Sequence, residues 1–119
     1  MKKIYFENVL NIGNLYLEHI YNTFEYEPIL FTCSDDYNNL YLCICSDFRY
    51  TQKWIIVETD INILIKLVLG EIDILSVFTN KKKMIEAIKS ASSDISYELK
   101  DTNNINFLDL PKSKIYLKS

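Results

Sequence analysis

The chain has 119 residues, 49% hydrophobic and 24% charged, with a formal net charge of −3; that length suits one domain spanning 1–119 with its own core. Two glycines and two prolines leave no room for a flexible linker. The charge balance argues against a broad basic nucleic-acid face, no apolar run reaches the roughly 18 residues of a membrane span, and MKKIYFENV is broken by Glu7 and Asn8 before a signal-type segment develops, so a cytoplasmic location is expected.

Residues 14–24, NLYLEHIYNTF, alternate β-branched and aromatic side chains and read as a strand, although Leu17, Ile20, Tyr21 and Phe24 also have helical spacing. Pro28 restricts Glu27, so EYEP reads as a turn into a second strand at 29–34. DDYNN supplies turn residues before a third strand, LYLCICSD, at 40–47. KWIIVET, 53–59, makes a fourth, after a polar loop FRYTQ.

At Asp60 the period changes. DINILIKLVLG opens on an N-cap residue, spaces Ile61, Leu64, Ile65 and Val68 as a helix does, and ends at Gly70. Its remaining apolar residues, Ile63, Leu67 and Leu69, predict a helix covered on most sides. EIDILSVFTN predicts a shorter helical turn capped by Asp73. NKKKMIEAIKSA, 80–91, places Met84, Ile85 and Ile88 on a helical stripe after a capping Asn80, with a strand as its alternative, and the last segments, ISYELKD and INFLDLPKSKIYL, suit one or two edge strands. The fold class expected is therefore α+β: an antiparallel meander of about four strands, with the helices after Asp60 packed on one face.

Three cysteines and one histidine are the only residues suggesting metal or thiol chemistry. Cys33, Cys43 and Cys45 share a strand parity, so one register would bring the thiols to a common face. Yet Cys-x-Cys along a strand spreads the sulfurs, whereas zinc sites favour tight Cys-x₂-Cys pairs, and buried cysteine packs as a small hydrophobe. His19 could pair with Cys33 across neighbouring strands, but no nucleophile elbow, phosphate loop or His-x-x-x-His motif supports catalysis. Lys81, Lys82 and Lys83 read as a solvated helix start. No catalytic residue, metal or cofactor is expected.

The charge distribution is more informative. From residue 4 to residue 48 there is no Lys or Arg, while Glu7, Glu18, Glu25, Glu27, Asp35, Asp36 and Asp47 all fall there, together with six of the nine tyrosines. Tyrosine gives large contact area at low entropy cost, and carboxylates steer a basic partner. The candidate partner-binding residues are Glu25, Tyr26, Glu27, Asp35, Asp36, Tyr37, Asp47 and Tyr50, near the expected turns.

The strings LYLEHIYNTFEYEPILFTCSDDYNNLYLCICSD, KWIIVETDINILIKLVLGEIDILSVF and DLPKSKIYL follow an order of features. It resembles a small uncharacterised bacterial domain family with a tyrosine–acid–proline turn, an N-L-Y-L strand, a W-x-x-V strand and a helix closing on L-x-x-G-x-I. The resemblance covers roughly residues 14–79 and the tail. It implies the order of elements and no activity.

The functional expectation is a non-enzymatic, acidic inhibitor or immunity-type protein that blocks a basic site on a nuclease or other nucleic-acid-handling protein; a phage-encoded inhibitor of a bacterial defence system, such as an anti-CRISPR, fits the same physics. The partner is a basic protein, with no direct nucleic-acid or membrane contact. The alternatives are a small enzyme or ligand-binding domain built on His19 and the cysteines, and a structural homodimer joined through a strand edge.

Overall fold

The computed structural model describes residues 2–47, 51–91 and 94–117, with Phe107 placed by its backbone alone. Among these residues lie seven strands: β1 (Lys3–Val9), β2 (Gly13–Phe24), β3 (Glu27–Ser34), β4 (Leu40–Asp47), β5 (Gln52–Thr59), β6 (Lys83–Lys89) and β7 (Ile95–Asp101). They form one antiparallel sheet in the order of the chain, β1 to β7. Two short helices, α1 (Ile61–Val68) and α2 (Ile74–Thr79), interrupt the meander between β5 and β6.

The sheet curls into a half-barrel. Aromatic rings of β1 reach across its concave side, Phe6 standing 5.3 Å from Trp54 of β5 and 6.5 Å from Tyr97 of β7. Register shifts in the β1–β2 and β2–β3 ladders add the local twist and bend that such curvature needs. The concave core holds Phe6, Leu15, Phe31, Cys33, Cys43, Cys45, Trp54, Ile56, Ile85 and Ala87. The convex face carries Leu30, Leu42, Ile55, Val57 and Met84, covered by Leu64 and Leu67 of α1, Val77 and Phe78 of α2, and Ile105 and Leu110 of the tail.

This architecture corrects the expected α+β fold of about four strands. The sheet holds three strands beyond the four of that meander: β1 was not foreseen, β6 was read first as a helix with a strand as its alternative, and β7 was foreseen as an edge strand. β1 lies in a segment whose KIYFENV alternation is short and ends in bulges. β6 occupies the stretch expected to be helical. There Met84 enters the convex core while Ile85 and Ala87 enter the concave one, so apolar side chains on both parities imitate a helical stripe. β7 pairs along its whole length with β6, Lys83↔Asp101 through Lys89↔Ile95.

The helices after Asp60 do pack on one face. Asp60 Oδ1 accepts from the Ile63 amide at 2.9 Å, capping α1. At the other end Gly70, at φ +74°, allows its amide to reach the Leu67 carbonyl and the Glu71 amide to reach that of Lys66. The same Asp chemistry starts α2, where Asp73 Oδ1 accepts from the Ser76 amide at 2.8 Å. The expectation that α1 is covered on most sides fails: Ile61, Ile65, Val68 and Leu69 point outward and are 40–67% exposed.

A charged cluster ties the tail to the sheet. Glu86 of β6 is 5% exposed and lies 3.1 Å from Lys100 and 3.7 Å from Lys53, which in turn meets Asp109 at 3.1 Å. Burial alone would lower the Lys53 pKa, but the two carboxylates outweigh it and hold the pKa above its ordinary value.

Candidate functional site

β3 runs eight residues between two turns, so its ends stand roughly 25 Å apart at the usual rise per residue. The eight candidate residues divide between those ends. Asp35, Asp36 and Tyr37 lie in the β3–β4 turn. Glu25, Tyr26 and Glu27 form the β2–β3 tip, and Asp47 ends β4 at that same side of the sheet. Tyr50 lies outside the described residues.

Asp35 is a structural residue. It is 6% exposed, and its carboxylate accepts from the Tyr37 amide, the Asn39 amide, Asn39 Nδ2 and Tyr41 Oη, at 2.9–3.0 Å. Burial pushes its pKa up, but these donors outweigh it and hold the carboxyl below its ordinary value. Its place among partner-facing residues is therefore corrected: a saturated, buried carboxylate has no surface to offer. Asp36 accepts from Tyr16 Oη at 2.8 Å and stays exposed, and Tyr37 is 83% exposed.

The β2–β3 tip is built differently. Tyr26 is 100% exposed and Phe24 49% exposed, with Glu25 and Glu27 in solvent. Glu25 and Tyr26 sit at φ +48° and +71°, the two left-handed positions of a tight hairpin turn that asparagine and glycine ordinarily fill. Holding two bulky L-residues there costs roughly 1–2 kcal/mol each. Among the described residues neither glutamate is in an ion pair. Asp47 and Glu27 share this end with Cys45, whose thiol meets the Asp47 carbonyl at 3.6 Å; burial raises that thiol's pKa most, and the Glu27 carboxylate adds to the rise.

The thiols belong to the core. Cys33 and Cys43 are 0% exposed and Cys45 is 6% exposed, all unbridged. With Cys33 opposite Tyr41 and Phe31 opposite Cys43, two of the thiols are diagonal neighbours on the concave face. Burial, then the hydrogen bond with Cys33, drives the Cys43 thiol well above its ordinary pKa; burial takes Cys45 to about 11. Such thiols stay protonated near neutrality, when nucleophilic chemistry needs the thiolate. His19 faces the other way. It pairs with Thr32, and its exposed ring packs edge-on to Tyr21 at 4.7 Å, away from the thiols. Among the described residues no group of three His, Cys, Asp or Glu side chains is placed to hold a metal.

A second feature, missed in the sequence, lies where β1 and β7 meet. Tyr97 Oη donates to the main-chain carbonyl of Glu7 at 3.0 Å, and no strand ladder joins the two elements. Tyr5, Glu7, Asn8, Asp94, Ile95 and Tyr97 line a cleft of about 530 Å³ at this seam. Burial, and secondarily Glu7, push the Tyr97 phenol up to about 12. Only the pairing of β6 with β7 brings residues 94–97 to residues 5–8, and the helical reading of 80–91 hid it.

Compared with family models, curated proteins and solved structures, the chain has no match, so the resemblance rests on packing motifs alone. Among the described residues no helix is long and apolar enough to cross a membrane.

Proposed function

We propose that this chain is a non-enzymatic interaction protein whose β2–β3 tip engages a basic site on a protein partner. An inhibitor or immunity-type role against a nuclease or another nucleic-acid-handling protein, including an anti-defence role, suits this chemistry. The supporting observation is the tip itself: a wholly exposed tyrosine between two glutamates that are in no ion pair among the described residues, held on a turn that glycine or asparagine would make at lower cost. Backbone strain of this kind clusters at active sites, ligand clamps and switch regions. Phe24 and Asp47 extend the surface on either side, and tyrosine among carboxylates suits an arginine- or lysine-bearing face.

The test is affinity capture from host lysate at low and moderate salt, with wild type, Glu25→Lys/Glu27→Lys, and Asp36→Lys. The proposal expects a basic partner retained by wild type and by Asp36→Lys, lost at least tenfold by the tip variant, and weakened as salt rises. Equal recovery by the tip variant, or loss only through Asp36→Lys, would overturn it.

A further inference from the structure

Seven strands in a meander impose a parity. Each strand reverses its predecessor, so β1 and β7 run in the same direction, although they are the two edges that face one another across the seam. Direct pairing would require a parallel ladder in an otherwise antiparallel sheet. One more strand, running the opposite way, would be antiparallel to both edges and would close an even-numbered up-and-down barrel. We propose that the β1–β7 seam is a docking slot for a single extended, basic segment of a partner protein, which binds as the eighth strand.

Three observations carry this. The edges are close enough for one tyrosine side chain to span them, and the acceptor it reaches is a main-chain carbonyl, Glu7, of the kind an added strand would use. The intervening cleft of about 530 Å³ is lined by the carboxylates of Glu7 and Asp94, and no Lys or Arg among the described residues lines it. A lysine- or arginine-bearing strand therefore finds charge complementarity that an acidic one does not. Its inward side chains would meet Phe6, Ile95 and Tyr97, which fixes an alternation of basic and small apolar residues. The chain's own tail is engaged elsewhere, since Ile105 and Leu110 are buried on the convex face. Tyr97 acts as the latch: its hydroxyl holds the Glu7 carbonyl until the incoming strand replaces it.

This surface is separate from the β2–β3 tip, and the experiment keeps the two apart. The probe is a ten-residue peptide alternating Lys with Val or Thr, compared with the same peptide bearing Glu for Lys and with one carrying a central Pro. Binding is followed by fluorescence titration and by amide hydrogen exchange. The proposal expects the Lys peptide to slow exchange in Lys3–Val9 and Ile95–Asp101, with the Glu and Pro peptides at least tenfold weaker. Glu7→Gln/Asp94→Asn should weaken the Lys peptide about tenfold. Tyr97→Phe, which frees the Glu7 carbonyl, should bind it at least threefold more tightly. Glu25→Asn/Tyr26→Gly should leave this binding unchanged, so failure of the tip leaves the seam standing, and the reverse. Protection confined to other strands, equal binding of Lys and Glu peptides, or indifference to the central Pro would overturn the proposal.

Discussion

Asp35 shows how one carboxylate can look like a ligand group and serve as a joint. Four donors converge on it at the β3–β4 turn, two from the backbone and two from side chains. Removing a buried acceptor of this kind strands its donors, so Asp35→Ala should cost roughly 2–4 kcal/mol. Its folded pKa lies below the unfolded value of about 3.9, so the stabilisation is present above that pH and is lost as the pH falls through the folded value. Urea denaturation at pH 7, 4 and 3 should therefore show wild type losing stability faster than Asp35→Asn below pH 4, although the variant is weaker at pH 7. Parallel curves would contradict that assignment. Nothing in DDYNN distinguishes this aspartate from Asp36, because burial depends on the strand pairing that brings Tyr41 beneath it.

At the scale of elements, the β2–β3 turn and β6 teach opposite lessons. The turn was legible: Pro28 and its acidic neighbours mark it, and the structure places it between Phe24 and Glu27. Its strain was not, because φ is invisible in the letters Glu and Tyr. Replacing the pair by Asn-Gly, as Glu25→Asn/Tyr26→Gly, should raise stability by roughly 1–3 kcal/mol, read as a higher melting temperature, while abolishing partner capture. A variant both less stable and fully able to bind would contradict the strained-tip reading. β2 to β5, the caps of both helices and the burial of the thiols were all readable, since each rests on local pattern: alternation, an aspartate before an apolar run, a glycine after it. β1 was not, β6 was legible only as the alternative to a helix, and β7 only as an edge strand of unassigned pairing. A strand buried on two faces loses its alternation, as Met84 and Ile85 show, and the seam exists only once those three strands are in place.

At the scale of the molecule, two cores back onto a shared sheet, and the Lys53–Glu86–Lys100–Asp109 cluster ties the tail across the convex one. Lys53→Met leaves Asp109 without its cation and Glu86 with Lys100 alone. Because Lys53 is 28% exposed, the loss should fall below that of a fully buried pair, at about 1–2 kcal/mol. Limited proteolysis should then cut the tail after Ile105 sooner than in wild type, and unchanged cleavage would show that apolar contacts alone hold it. The meander carries one more consequence. Every strand pairs with the strand next to it in the chain, and only the β5–β6 step spans the two helices. The loops that must close are short, and their entropic cost falls due in small instalments. Such a sheet can grow hairpin by hairpin, at a pace closer to that of mixed α/β domains than to that of sandwiches whose partners lie far apart in sequence.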